Sequence, residues 1–132
     1  MKKLKTISTE ITALAKLCSC VTRVGLYGSM TTGKSHEKSD LDIAVQYDWK
    51  VPNGYMHILQ FAEAVEAICR KHGHRMDMQD IGRIRAFPQI VSTEIRKNLP
   101  DAHVVQWFYP AAAEEVLPTR MLTGAENTEV DK

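Results

Sequence analysis

Two apolar runs close together in the sequence restrict the folds that this chain can adopt. Val21–Tyr27 is rich in β-branched and apolar residues and stops at a glycine, which predicts a strand that ends in a turn. Leu41–Tyr47 alternates between apolar and other residues, which predicts a second strand. The residues between them are polar and show no apolar periodicity, so they predict a loop. We therefore expect two strands that are joined without a helix of ordinary length.

The loop between the two predicted strands carries two overlapping phosphate-binding patterns. Residues 28–35, GSMTTGKS, match the P-loop pattern G-x-x-x-x-G-K-[ST] in full. The same stretch also reads as Gly28-Ser29, a loop, and then Asp40-x-Asp42, which is a pattern of an unrelated fold. A P-loop requires a helix whose N-terminus holds the phosphates, and only four residues follow GSMTTGKS before Asp40. We interpret the P-loop match as accidental and keep a P-loop ATPase as the third functional hypothesis.

The aspartates of the second pattern have the spacing of a metal site. Asp40 and Asp42 lie two residues apart at the start of a predicted strand, so their carboxylates project from one face. Two neighbouring carboxylates repel unless a divalent cation lies between them, and Mg²⁺ prefers hard oxygen ligands completed by water and phosphates. Gly28 lets the backbone approach a phosphate closely, and Ser29 supplies a hydroxyl donor. The pattern predicts a site for Mg²⁺ or Mn²⁺ and a nucleotide.

The stretch GSMTTG followed by SDLDIAV resembles the GS-x(10)-D-x-D motif of the polymerase-β-like nucleotidyltransferase superfamily. The short chain looks like its minimal, stand-alone members, which are called MNT domains, and the resemblance covers residues 21–108. It implies an α/β fold with a small mixed sheet flanked by helices. It also implies metal-dependent transfer of NMP, with AMP from ATP expected, to an acceptor hydroxyl. One departure is Thr32, because relatives often have a basic residue there. This leaves phosphate binding with one donor fewer, unless Lys34 or Lys38 substitutes.

The resemblance assigns roles to five residues. Asp40 and Asp42 are expected to bridge two metal ions, and Gly28 and Ser29 to hold the β- and γ-phosphates of ATP. Family members carry a third carboxylate on a later strand beside the one with the two aspartates. The resemblance implies Asp77 for this place, where it would complete one metal site and help to activate the acceptor hydroxyl.

The choice of the third carboxylate depends on strand parity. Residues 75–81 predict a strand in which Asp77 and Asp80 lie on opposite faces, so only one of them can face the metals. We favour Asp77, because family members often show an apolar residue and then Asp at that place. A solvent-facing strand position is the alternative for Asp77, and an exposed strand start is the alternative for Asp40 and Asp42.

The length and composition are those of one soluble globular domain. The chain has 132 residues, of which 44% are hydrophobic and 25% charged. We expect a single nucleotidyltransferase domain over residues 1–110 and a partly disordered tail over residues 111–132. Residues 102–108 predict a last strand or a segment that docks against a helix. Apolar spacing predicts helices at residues 7–17 and 55–71. A third helix is predicted at residues 88–98, with Pro88 near its first position and Pro100 after its end.

Charge, hydropathy and cysteine content limit the partners and the compartment. A net charge of +1 gives no argument for nucleic acid as a direct partner. No apolar run approaches the ~20 residues needed to cross a bilayer, so we expect no membrane association. The three cysteines are an odd number without disulfide-framework spacing, which favours a reducing cytoplasm. For Cys18-x-Cys20, free thiols that pack are favoured over a metal site.

A domain this small has little room for its own acceptor site, so the resemblance also implies a protein partner. Minimal members of the superfamily commonly act as antitoxins that modify a helical HEPN-type ribonuclease toxin, often on a tyrosine. The alternative is a non-catalytic binding module, an antitoxin that neutralises its partner by contact and leaves the metal site unused. The oligomeric state stays open.

Overall fold

The computed structural model describes residues 2–28, 40–81 and 102–118 of the chain. Two helices and five strands occupy these ranges. In chain order they are α1 (Lys2–Leu17), β1 (Val21–Tyr27), β2 (Leu41–Tyr47), α2 (Gly54–Lys71), β3 (Met76–Asp80), β4 (Ala102–Tyr109) and β5 (Ala113–Pro118).

The five strands form one mixed sheet in the spatial order β3-β2-β1-β4-β5. The pairs β1–β2, β1–β4 and β4–β5 are antiparallel, whereas β2 and β3 are parallel and are joined through α2. A parallel pair needs such a crossover, and the 18-residue α2 supplies it. The expected α/β fold with a small mixed sheet and flanking helices is confirmed.

The main core lies between one face of the sheet and the two helices. The apolar stripe of α1 and that of α2 pack against the alternate residues of β1 and β2 that point toward them. The residues of this core are Ile7, Ile11, Ala15, Val21, Val24, Leu26, Leu41, Ile43, Val45, Phe61, Val65 and Cys69. The two helices are also tied by Glu10 of α1, which contacts Lys71 at 2.7 Å and His72 at 3.0 Å. The opposite face of the sheet is thereby left for the candidate site.

A second, smaller apolar cluster lies on that opposite face. It consists of Tyr27, Ala44, Val105 and Trp107 from strands β1, β2 and β4 and of Ile81, which directly follows β3. Gly25 of β1 makes this packing possible, since a Cβ there would lie 2.9 Å from the Cα of Trp107. The candidate site therefore lies beside this packed apolar cluster, which is called the apolar base below.

Most of the elements predicted from the sequence are confirmed. The helix predicted at residues 7–17 begins earlier, at Lys2, and residues 102–108 belong to β4. The predicted helix at residues 88–98 lies outside the described residues.

The sheet extends beyond residue 110, where the sequence placed the end of the domain. Ala113–Pro118 does not begin a tail, because it pairs with β4 from Ala102↔Pro118 to Trp107↔Ala113. Glu115 gives the physical reason, since its carboxylate accepts hydrogen bonds from Arg23 and Trp107 and is only 2% exposed. The rest of the expected tail, from residue 119, lies outside the described residues.

Candidate active site

Three side chains form a row across β1, β2 and β3 on the face opposite the helices. Tyr27 is directly paired with Asp42, and Asp42 is directly paired with Asp77. Directly paired residues point to the same side of a sheet, with Cβ atoms ~4.5–5.5 Å apart in antiparallel pairs. Tyr27 is buried, Asp42 is half-buried and Asp77 is exposed. The row therefore leads from the apolar base outward to solvent.

Gly28 closes the row at the end of β1. Its φ of +75° lies in the left-handed region, which favours glycine. A Cβ at this position would collide with Oδ2 of Asp42. Glycine is thus required here both for the backbone conformation and for the position of the neighbouring carboxylate. The predicted phosphate-binding glycine and the predicted metal ligand Asp42 are brought into contact.

The electrostatics of the row disfavour negative charge on Asp42. Burial raises the pKa of its carboxyl group to about 6, and the neighbouring carboxylates of Asp77 and Asp40 add to the increase. Burial also raises the pKa of the Tyr27 phenol, with further contributions from Asp77 and Asp42. Tyr27 therefore stays protonated beside the two aspartates. A cation at this place would relieve the repulsion that the carboxylates now share.

Asp77 and Asp80 lie on opposite faces of β3. Asp77 accepts a hydrogen bond from Nε2 of Gln79 at 3.4 Å, on the face that carries Asp42. Asp80 accepts one from the indole Nε1 of Trp49 at 3.2 Å. Its register partner is Val45, whose side chain belongs to the main core, so Asp80 lies on the helix side. The structure therefore brings Asp77 to Asp42 and holds Asp80 away from it.

The other two predicted site residues lie at the margin of the described structure. Asp40 is exposed and directly precedes β2, close enough to raise the pKa of Asp42. Ser29 lies outside the described residues. Within residues 2–28, 40–81 and 102–118, no group of three or more His, Cys, Asp or Glu side chains could hold a metal ion by itself. The paired carboxylates fit a metal whose coordination is completed by water and phosphate oxygens.

The strand arrangement argues against the P-loop interpretation. A P-loop lies between a strand and a helix in a unit whose next strand in the sheet runs parallel. Here the strand that follows GSMTTGKS is β2, which pairs antiparallel with β1 from Val21↔Tyr47 to Tyr27↔Asp42. GSMTTGKS itself lies outside the described residues from Ser29 onward.

The comparison with protein families agrees with this geometry. The family described as "Polymerase beta, Nucleotidyltransferase" matches residues 9–98, which is more than half of the chain. The chain belongs to the polymerase-β nucleotidyltransferase family. Gly28, Asp42 and Asp77 all lie within the matched range. Membership in this nucleotidyltransferase family supports a general role in nucleotidyl transfer. The search of curated proteins gave no match.

Tyr27 is a member of this row that the sequence analysis did not single out. The strand prediction treated it only as the last apolar residue before Gly28. Two features of the sequence pointed to Tyr27: its side chain ends in a polar hydroxyl group, and strand alternation places it on the opposite face from Leu26. Its pairing with Asp42, which decides its role, requires the register of β1 on β2.

Proposed function

We propose that this nucleotidyltransferase moves AMP from ATP to a hydroxyl group of a protein partner, with Mg²⁺ or Mn²⁺ as the required metal. The observation that supports this most strongly is the direct pairing of Asp42 with Asp77 beside Gly28. Two carboxylates and a closely approaching glycine backbone form a place where a metal–triphosphate complex can be bound by oxygen ligands. The family match supplies the general reaction class.

Each side chain of the site has its own proposed role. Asp42 and Asp77 would hold the metal, and Asp40 would add a third carboxylate from the start of β2. A bound metal would supply charge stabilisation for the attacking and leaving oxygens of an in-line displacement. Asp77 is the more exposed of the paired carboxylates, so it faces the incoming hydroxyl and orients it. Gly28 and Ser29 would bind the departing phosphates, and Tyr27, which is paired with Asp42, belongs to the apolar cluster on the same face.

A protein partner is supported by exposed apolar residues on one region of the surface. Tyr55, Met56 and Leu59 lie in the first two turns of α2 and are 63%, 57% and 40% exposed. Trp49, in the turn before α2, is 52% exposed. Exposed apolar residues that occur together mark protein interaction sites. We propose a HEPN-type toxin as the partner and an antitoxin role for this chain.

We place this activity in the cytoplasm, because Cys18, Cys20 and Cys69 are all free thiols. Among the residues that the structure describes, neither helix is long and apolar enough to cross a membrane.

The metal requirement can be tested by titration calorimetry of ATP with and without Mg²⁺. We expect weak binding of Mg²⁺ alone and tighter binding of ATP when Mg²⁺ is present, because phosphate oxygens complete the metal shell. Asp42→Asn should remove the dependence on Mg²⁺, whereas Glu63→Gln, an exposed change on α2, should retain it. Equal binding of ATP with and without Mg²⁺ by the unmodified chain would contradict the proposal.

The same exposed apolar residues favour one second candidate, an antitoxin that acts by contact alone. The two functions differ in what an Asp42→Asn variant does to a partner that it still binds. Under the transfer proposal this variant binds the partner and leaves it active. If the variant neutralises the partner as fully as the unmodified chain, contact is sufficient and the transfer proposal is wrong.

A further inference from the structure

Arg75 stands directly before β3, on the side of the sheet that carries the candidate site. Its carbonyl oxygen accepts a hydrogen bond from the amide of Leu41 at 2.7 Å, which belongs to the pairing of Leu41 with Met76. Met76 packs against the main core, so alternation along the chain places Arg75 on the same face as Asp77. Arg75 is exposed. An acceptor that approaches Asp77 therefore meets a guanidinium group beside it.

The positive charges of Arg75 and Lys3 have no role in the fold that the described residues show. Within residues 2–28, 40–81 and 102–118, neither side chain forms an ion pair. The helix dipole accounts for Arg70 and Lys71, because they lie in the last turn of α2. It does not account for Arg75, which lies beyond that helix. It disfavours Lys3, which lies in the first turn of α1, where no acidic residue offsets its charge.

Lys3 and Arg70 extend the positive surface around Arg75. Nζ of Lys3 lies 3.6 Å from where a Cβ on Gly73 would stand, so its ammonium group lies over the turn between α2 and Arg75. Arg70 is exposed, and its pair with the exposed Glu66 is loose, at 3.6 Å. We call Lys3, Arg70 and Arg75 the basic rim. It lies beside the candidate site, because Arg75 belongs to both.

The outward side of α2 connects the basic rim to exposed apolar residues. Tyr55, Leu59 and Arg70 follow each other at intervals of four and eleven residues, which are close to whole helical turns, so they share one side of α2. This 18-residue helix is ~27 Å long, and a protein interface of ordinary size, ~800 Å² on each partner, covers a patch of about that width. Leu59 offers RNA neither a positive charge nor a ring for stacking. The combination therefore favours a protein that contacts both ends of α2.

We propose that the basic rim binds an acidic segment of the protein that accepts the nucleotide. This inference rests on the proposed function, since it concerns the acceptor of that same site. Acidic residues of the acceptor contact Lys3 and Arg75, while its apolar residues cover Tyr55 and Leu59. Complementary charges of this kind orient a partner as it binds, and salt weakens their effect. The basic rim thereby selects which side of the acceptor approaches Asp77.

Fluorescence anisotropy with a labelled hexaglutamate peptide tests the basic rim on the full chain, in EDTA and without ATP. We expect hexaglutamate to bind at least about fivefold more tightly than uncharged hexaglutamine, because several exposed charge pairs add up. Added NaCl should weaken the binding by screening these pairs. The measurement requires no nucleotide transfer. A chain that binds hexaglutamate in this way and transfers no label from ATP would support the basic rim and contradict the proposed function.

Two double variants locate the binding of hexaglutamate. Lys3→Met with Arg75→Met should weaken it at least about fivefold, because two cations of the basic rim are lost. Lys16→Met with Lys50→Met makes the same change in net charge at exposed lysines outside the rim, and should weaken it less than about twofold. Equal binding of hexaglutamate and hexaglutamine, equal losses in the two double variants, or tighter binding of an oligouridylate of the same charge would each overturn the proposal.

Discussion

Asp42 and Asp77 occupy directly paired positions on the parallel strands β2 and β3, and both carboxyl groups face the side of the sheet away from the helices. Burial and this proximity raise the pKa of Asp42 to about 6. The arrangement costs stability in the chain alone, since two carboxylates are held together without an opposite charge. Functional sites commonly retain such destabilising pairs of like charges, because the shifted pKa values serve the function of the site.

The first prediction concerns the pH dependence of folding without metal. An unfolded Asp releases its proton near pH ~3.9, whereas folded Asp42 holds its proton up to about pH 6. Between these values the folded state binds more protons, so this group lowers the free energy of unfolding as the pH rises from about 4 to about 6. Asp42→Asn should therefore raise the melting temperature at pH 7 and have little effect at pH 4.5, measured in EDTA.

Glu63→Gln is the matched control for this prediction, because it removes one exposed carboxylate far from the row. Its effect on melting temperature should be small at both pH values. If Asp42→Asn destabilises the chain at pH 7 as much as at pH 4.5, burial and the neighbouring carboxylates do not raise the pKa of Asp42 in solution.

The second prediction concerns Gly28, and Gly73 supplies its control. Both glycines have left-handed φ angles, +75° and +84°, so alanine at either should cost ~1–2 kcal/mol of stability. Only at Gly28 does the new Cβ collide with Asp42, whereas at Gly73 the nearest atom is Nζ of Lys3 at 3.6 Å. Gly28→Ala should lose Mg²⁺-dependent ATP binding in calorimetry and Gly73→Ala should retain it. If both variants lost ATP binding, backbone strain alone would explain the loss in Gly28→Ala.

The third prediction separates the two aspartates of β3. Asp77→Asn should abolish nucleotide transfer and leave the fold intact, because Asp77 is exposed on the face that carries Asp42. Asp80→Asn should reduce transfer only mildly, because Asp80 bonds to Trp49 on the other side of the sheet. Release of pyrophosphate and the melting temperature should be measured for both. An inactive Asp80→Asn enzyme beside an active Asp77→Asn enzyme would reverse the assignment.

The fourth prediction concerns the buried contacts that fix β5. The Arg23 guanidinium bonds to the buried Glu115 at 3.1 Å and lies 3.8 Å from the centre of the Trp107 ring. Arg23→Met would leave the Glu115 carboxylate buried without its cation. We therefore expect the free energy of unfolding, measured with urea, to fall by roughly 2 kcal/mol or more. Arg70→Met breaks only the exposed pair with Glu66 and should cost less than ~1 kcal/mol. If the two variants lost the same free energy of unfolding, the Glu115 carboxylate would be solvated and not buried.

The strands that carry the site could be predicted because each one has its own periodicity. Leu41, Ile43 and Val45 lie on one face of β2, and Asp42 is therefore placed on the opposite face without any knowledge of its neighbours. The same parity separated Asp77 from Asp80. The apolar stripe of α2 likewise predicted a helix, and the structure shows that this helix connects the parallel strands β2 and β3.

What could not be predicted depends on contacts between distant residues. Ala113–Pro118 contains two glutamates and looks like the start of a tail, and only Arg23 and Trp107 explain why Glu115 is buried in a strand. The role of Tyr27 depends on its pairing with Asp42, and that register is set by the whole β1–β2 pair. The local sequence does not reveal which distant residue either of them contacts.

Transfer of label from ATP to a co-purified partner, measured for Asp42→Ala, Ser29→Ala and Lys34→Ala, tests nucleotidyl transfer most directly. We predict a loss of more than about a hundredfold for Asp42→Ala, because a metal ligand is removed. Ser29→Ala should impair transfer strongly through the loss of a phosphate donor, and Lys34→Ala should change it little. An inactive Lys34→Ala enzyme beside an active Asp42→Ala enzyme would contradict this assignment, because a P-loop depends on its lysine.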